Sequence, residues 1–277
     1  MPPATLYVIA TPIGNLGDLS HRAEDTLRTV PVVAAEDTRR VRGLLSHLDA
    51  HPLVLSFHAH SPEKRQEVLL EILGEGRDVA LVTDAGTPGV SDPGENLVRA
   101  VREAGFGVVP IPGPSAVSTA LSASGLSGDR YLFLGFLPRK GRERDRLLKQ
   151  VAECEWTVVL YEAPPRLAEL LADLVEVAGP ERRAVVGREL TKMYEEFRPG
   201  TVAELAAYYE ANPPRGEITI VVAGRPEGAV TAPTIDPAIR AAELLASGLS
   251  RKDAVQQLVA DTGVARNEAY RIVTSLP

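Results

Sequence analysis

A single cysteine, Cys154, stands in the 277-residue sequence, which excludes an intramolecular disulfide and any zinc site built on cysteines. That economy fits a reducing cytoplasm. No apolar run approaches the roughly 18 residues that a membrane helix needs. The opening residues, Met1 to Ala10, lack the basic stretch of a signal peptide and soon reach a turn. The expectation is a soluble, cytoplasmic protein with no membrane contact. Two nucleotide signatures are also missing. The first loop holds Gly14 and Gly17 but not the G-x-G-x-x-G dinucleotide fingerprint, and there is no Walker-type lysine loop.

An excess of cations is lacking too. The 30 Lys and Arg face 37 Asp and Glu, a net charge of −7, which opposes encounter with a polyanion. Distribution counts for more than the sum, however. Basic residues gather at Arg39-Arg40-Val41-Arg42, along the stretch from Arg139 to Arg146, and at Arg251-Lys252 with Arg266 and Arg271. Each cluster reads equally well as a solvated helix face.

What is present is a chain 44% hydrophobic, enough for two ordinary cores. Short apolar runs alternate with helical patterns. Strands are predicted at Leu6–Ala10, Val30–Ala35, Leu53–Phe57, Val79–Thr83 and Val108–Ile111. Helices are predicted between them, at about 20–29, 37–48, 62–74 and 94–104. That alternation argues an α/β unit with a mostly parallel sheet over 1–114. A small-residue helix from Ser115 to Ser124 leads into a second α/β unit over 115–226. Its strands are expected at Tyr131–Phe136, Trp156–Tyr161, Ala184–Arg188 and Ile218–Ala223, and its helices at about 141–152, 165–177 and 202–211. A linker composition covers 227–236, and short helices follow over 237–277. One of these starts at Ser250, with Asp253 in the capping-box position. The final pair resembles a helix-turn-helix and reads equally well as a plain helical cap.

Three stiff loops follow strands. The longest begins where the fourth strand ends: residues 84–94 hold three Gly, two Pro and two Asp. Ligands of open α/β sheets bind at the carboxyl ends of the strands. Glycine permits close backbone approach, proline stiffens, and a carboxylate such as Asp84 accepts hydrogen bonds from hydroxyls or an ammonium. The second loop, Pro110-Ile-Pro-Gly-Pro-Ser-Ala116, places Ser115 to cap the next helix. The third is Ala10 to Asp18. Together they suggest an adenosine-containing ligand, without saying which.

The ordered set Thr-Pro-Ile-Gly-Asn-Leu (11–16), Ala-Ala-Glu-Asp-Thr-Arg (34–39), Thr-Asp-Ala-Gly-Thr-Pro (83–88), Asp-Pro-Gly (92–94) and Pro-Gly-Pro-Ser (112–115) resembles the tetrapyrrole-methylase superfamily. Within it the chain looks like the branch that methylates the ribose 2′-hydroxyl of a cytidine in the decoding region of 16S rRNA. Arg188 to Lys192, Gly216 to Val221 and the tail from Leu249 to Tyr270 fit that branch, so the resemblance covers nearly the whole chain. Phe57-His-Ala-His-Ser61 departs from the branch's His-x-His-Asn pattern. The resemblance implies a two-domain tetrapyrrole-methylase-like fold and a homodimer acting on rRNA within the small ribosomal subunit. S-adenosylmethionine would lie in the cleft between the domains. By the same analogy Pro12, Asp84, Thr87, Ser115, Ala116, Tyr161 and Ile218 line that cofactor site.

A ribose hydroxyl is a weak nucleophile, and a general base adds roughly 10²–10⁴-fold. Asp37, Glu36 and Lys192 are the candidates. Asp37 also reads as a helix N-cap, and Lys192 as a phosphate ligand. No residues show metal-ligand spacing beyond the alternating His58 and His60, and no metal is expected. An RNA rim is expected at Arg39, Arg40, Arg139, Lys140 and Arg142, with Arg266 and Arg271 as a remote anchor. Two other readings stay open: a methyltransferase for a small tetrapyrrole-like metabolite, and a DNA-binding regulator built on the last helices.

Overall fold

The computed structural model describes residues 4–58, 61, 63–226, 237–262 and 264–276. They fall into two compact units, Met1–Arg225 and Pro226–Pro277. The expected linker at 227–236 lies outside the described residues, as does His60.

The first unit carries two five-stranded sheets. In the first, β1 (Thr5–Ile9), β2 (Val32–Ala35), β3 (Leu53–Ser56), β4 (Val79–Val82) and β5 (Gly107–Ile111) run parallel in the order β3-β2-β4-β1-β5. Helices α1 (His21–Thr29), α2 (Thr38–His47), α3 (Glu63–Gly74) and α4 (Glu95–Glu103) make the crossovers. The sheet is covered on both faces, which explains why β2 (Val-Val-Ala-Ala) and β4 (Val-Ala-Leu-Val) read as unbroken apolar runs. Along β4, Ala80 and Val82 join the core with Leu27 of α1 and Leu45 of α2. Val79 and Leu81 turn the other way, toward Leu69 of α3 and Leu97 of α4.

Helix α5 (Ala116–Ser124) leads to the second sheet. Here β6 (Tyr131–Phe136), β7 (Thr157–Glu162), β8 (Arg183–Arg188), β9 (Glu196–Thr201) and β10 (Ile218–Val222) follow the order β6-β7-β10-β8-β9. Only β6 and β7 pair in parallel; the other pairs are antiparallel, so the sheet is mixed. Helices α6 (Arg142–Glu153), α7 (Leu167–Ala178) and α8 (Val202–Ala211) bury one face, with Leu148, Leu170 and Leu205 packed on Leu160, Val186 and Ile220. The opposite face takes α5. Val117, Ala120 and Leu121 join Val159 and Val221, and Ile13 reaches the same cluster from the loop after β1. Ile13 thus ties the first sheet's rim to the second sheet's core.

The structure adds one strand to the four expected there. β9 contains Pro199 and Gly200, residues that weaken a strand pattern. It pairs with β8 at the sheet's edge, where a proline is tolerated.

In the second unit α9 (Pro237–Ala246), α10 (Arg251–Thr262) and α11 (Arg266–Ser275) close on Leu244, Leu258 and Val273. The Ser250 hydroxyl accepts the Asp253 N–H at 3.2 Å and donates to the Asp253 carboxylate at 2.6 Å. Among the described residues no helix is long and apolar enough to cross a membrane.

Candidate active site

The three strand-end loops are stitched into one rim. Thr11 and Gly86 exchange backbone hydrogen bonds at 2.9 and 3.0 Å, joining the loops after β1 and β4. The Ala10 N–H donates to the Ile111 carbonyl at 3.1 Å and brings in the end of β5. The loop after β4 turns on left-handed backbone at Gly86 (φ +82°), Gly89 (+83°) and Gly94 (+147°). Ser91 shares that region at +61°, a conformation that costs a residue with a side chain energy and collects at functional sites.

Between this rim and the second sheet lies a cavity of about 370 Å³, within the size range of small-ligand sites. Six residues expected to hold the cofactor line it: Asp84, Thr87, Ser115, Ala116, Tyr161 and Ile218. Pro12 does not line it; its neighbour Ile13 does. Ser115 stands at the N-cap of α5 but makes no side-chain cap, which corrects the sequence expectation. Tyr161 stacks edge-on against Phe133 at 5.0 Å and tilts on Phe136 at 5.5 Å, forming an aromatic wall. Burial, with the charge of Asp92 adding to it, pushes its phenol up to about 12, so the ring stays neutral.

The proposed bases stand in a different light. Asp37 is the N-cap of α2: its Oδ1 accepts the Arg39 N–H at 2.8 Å, and its Oδ2 takes Arg39 Nη2 at 2.9 Å. The Arg39 side chain, followed by the Arg39 N–H, holds the carboxyl down at about 2, so it is a feeble base. Lys192 is clasped by Glu189 at 2.9 Å and Glu217 at 3.0 Å. Burial opposes its charge, but the two carboxylates outweigh burial and raise its pKa, which favours the ammonium. Glu36 is half-buried beside Asp37, and neither lines the cavity.

Sequence reasoning passed over Asp92, which does line the cavity. Burial comes first, then the charge of Glu36, in lifting its carboxyl to about 6; Thr83 pulls the other way and Asp84 adds a little. Asp-Pro-Gly at 92–94 was the visible signal, but burial of the loop is a tertiary effect.

Comparison with known proteins settles the kinship. The family of Tetrapyrrole (Corrin/Porphyrin) Methylases matches residues 5–206. The chain belongs to that family. It is 45% identical to the ribosomal RNA small subunit methyltransferase I of Synechocystis sp., over 98% of each chain. It is 44% identical to the protein of the same name from Pseudomonas aeruginosa, over 98% of this chain and 97% of that one. It is a member of this branch of the family. Two crystal structures share the fold. A cobalt precorrin-4 methyltransferase gives a TM-score of 0.60 at 18% identity, over 79% of this chain and 94% of its own. A uroporphyrin-III C-methyl transferase from Thermus thermophilus, complexed with S-adenyl homocysteine, gives 0.57 at 19%, over 79% and 96%.

Family membership makes the chain an S-adenosylmethionine-dependent methyltransferase, and the cavity's chemistry fits that donor. The donor carries a sulfonium and an ammonium, and the lining offers the carboxylates of Asp84, Glu162 and Glu217. The one guanidinium of the described lining, Arg40, lies 3.5 Å from Asp84 and leaves the balance acidic. Ile13, Val90, Phe136 and Ile218 supply apolar surface for an adenosine, and Thr87 and Thr219 supply hydroxyls.

The expected RNA rim is divided. Arg39 is exposed but paired with Asp37, and Arg40 is exposed near Asp84. Arg139, Lys140 and Arg142 are exposed at the start of α6. Arg266 and Arg271 are exposed on α11, with Arg271 beside Glu268 at 3.3 Å.

Proposed function

We propose that this methyltransferase acts on the ribose 2′-hydroxyl of a cytidine in the decoding region of 16S rRNA, within the small ribosomal subunit. One observation carries the reading: likeness to relatives named for ribosomal RNA runs over 98% of the chain, while the match to the cobalt precorrin-4 methyltransferase covers 79% of it. A fifth of the chain thus has a counterpart in the rRNA enzymes and lies outside the tetrapyrrole match. A small acceptor needs no such addition. The proposed division is two lobes, 1–114 and 115–226, that hold the donor between them, and a helical unit, 237–277, that adds RNA contact. A homodimer, as the family resemblance implies, completes the assembly.

S-adenosylmethionine, when bound, supplies an activated methyl group for in-line displacement. The chain's own contribution is position. The carboxylates of Asp84 and Glu217 hold the positive donor, while Tyr161 and Phe136 exclude water from one side. The ribose must stand opposite the methyl, and alignment of that kind is worth on the order of 7–11 kcal/mol. Lys192, fixed as a cation, would hold a phosphate beside the acceptor. Arg39, Arg40, Arg139, Lys140 and Arg142 form the rim that meets the RNA backbone, with Arg266 and Arg271 as a further anchor.

Small subunits from a strain lacking the methylation, incubated with tritium-labelled donor and then mapped, test the reading. Label confined to the ribose of one decoding-region cytidine is expected. Unlabelled rRNA from enzyme that binds the donor would overturn it.

A further inference from the structure

A second cavity, of about 610 Å³, is lined by residues 92–94 of the loop after β4 together with residues of α3 and α4. His58, Ser61, Gln66, Glu67, Asn96 and Arg99 give it a polar lining rich in both donors and acceptors. Asp92 is the one residue, among the described ones, that lines both this cavity and the donor cavity. Its place is built rather than incidental. Ser91 before it is held at φ +61° and Gly94 after it at φ +147°, and a Cβ at Gly94 would stand 3.1 Å from Leu81 in the core. Gly135 of β6 also faces Ser91 so closely that a Cβ there would lie 2.7 Å from the Ser91 hydroxyl oxygen. The strained turn therefore packs against both sheets.

We infer that the polar cavity receives the acceptor nucleoside and that Asp92, at the join of the two cavities, takes the proton of its 2′-hydroxyl. The inference rests on the ribose-methyltransferase reading and names the pocket and base it requires. The ribose oxygen bonds to the methyl carbon as the carbon–sulfur bond breaks with its electron pair staying on sulfur. The hydroxyl proton passes to an Asp92 carboxylate oxygen and from there to water. A carboxylate held near 6 is ionised at neutral pH yet far more basic than Asp37, held near 2. The charged groups around it are Glu36 after β2 and Asp84 in its own loop, with Tyr161 facing it from β7. Arg40 faces the donor cavity from α2 and draws on Asp84; the polar cavity is faced by His58, by Glu67 of α3, and by Glu95, Arg99 and Glu103 of α4, with Arg99 3.5 Å from Glu95.

The test is Asp92→Asn, with three readouts. S-adenosylhomocysteine affinity by calorimetry is expected to stay within about threefold of wild type. A ¹³C-carboxyl resonance with a midpoint near 6 in the wild-type protein is expected to vanish. Single-turnover transfer to small subunits is expected to rise through pH 6 in the wild type, and to fall roughly 10²–10⁴-fold and lose that limb in D92N. A second variant, Gln66→Trp, fills the polar cavity, and is expected to lower single-turnover transfer to subunits about tenfold or more with S-adenosylhomocysteine affinity unchanged. D92N that keeps the wild-type rate and pH limb overturns the inference. So does D92N that loses S-adenosylhomocysteine binding more than tenfold, which would make Asp92 a donor ligand instead. If the wild-type enzyme leaves ribose unlabelled, the ribose-methyltransferase reading fails first and this inference falls with it.

Discussion

Gly14, in the loop after β1, lies flat against the stem of Lys192 from the loop after β8: a Cβ at Gly14 would stand 2.8 Å from Lys192 Cε and 3.1 Å from its Cδ. The absence of a side chain there lets the first sheet's rim close on the second sheet's loop. Lys192 cannot easily step aside, because Glu189 and Glu217 hold its ammonium from the far end.

Gly14→Ala should therefore act through Lys192. Overpacking of this kind costs about 1–3 kcal/mol. Because Glu217 lines the donor cavity, S-adenosylhomocysteine affinity should fall with it, by about tenfold. Lys192→Ala in the same chain removes the obstacle, so the double variant should bind better than the sum of the two single losses predicts. Calorimetry on the four proteins measures that coupling. Strict additivity would show that the two residues do not press on each other.

Asp84 holds two elements at once. Its Oδ1 accepts the Asp37 N–H at 3.0 Å, at the start of α2, and its Oδ2 lies 3.5 Å from Arg40. Hydrogen bonds to a charged group contribute about 1.5–3 kcal/mol, whereas an exposed ion pair contributes little. Asp84→Ala should thus lower stability by about 1–2 kcal/mol and donor affinity by tenfold or more. Asp84→Asn keeps an acceptor for the Asp37 N–H and should recover most of the stability but not the affinity. Urea denaturation read beside calorimetry separates the two effects.

The basic stretch before and within α6 is two structures in one sequence. Arg144 is buried; its guanidinium pairs with Asp173, and its Nη1 donates to the Pro138 carbonyl at 2.9 Å. Arg139, Lys140 and Arg142 point to solvent. Arg144→Ala should cost about 3 kcal/mol of stability, as breaking a buried pair does, and leave the salt dependence of RNA binding unchanged. Alanine at Arg139, Lys140 or Arg142 should leave stability alone and flatten the slope of log affinity against log salt by about one each. Filter binding across a salt series decides which residues meet phosphate.

The contrast between Arg144 and its neighbours shows where sequence reading stops. Strand and helix order was legible because β2 and β4 are apolar throughout and each helix shows its own stripe. β9 was not, since Pro199 and Gly200 break its pattern and its pairing with β8 is a long-range fact. The cavity beside the strand-end loops was legible to the extent that six of the expected residues line it. The basicity of the candidate side chains was not, because pairing decides it: Arg39 lowers the pKa of Asp37, and Glu189 with Glu217 raises that of Lys192. No spacing in the sequence announces that burial and the charge of Glu36, rather than a cation, set the basicity of Asp92.

That raised carboxyl has a thermodynamic consequence independent of catalysis. Asp92 moves from 3.8 to about 6 on folding, mainly through burial. Between those values the folded protein keeps a proton that the unfolded chain has released, so this group makes stability fall as pH rises through the window. Below it, both states are protonated and the penalty is absent; above it, the penalty is complete. Half-exposure screens the carboxylate, so about 1 kcal/mol is expected in place of the full linkage value. Asp92→Asn should accordingly be more stable than wild type by about 1 kcal/mol near pH 8 and equal to it near pH 3.5, with the difference opening between about 4 and 6. Thermal melts across that range read it directly. A constant difference at every pH would mean that the substitution acts through packing, and that the carboxyl titrates where an ordinary one does.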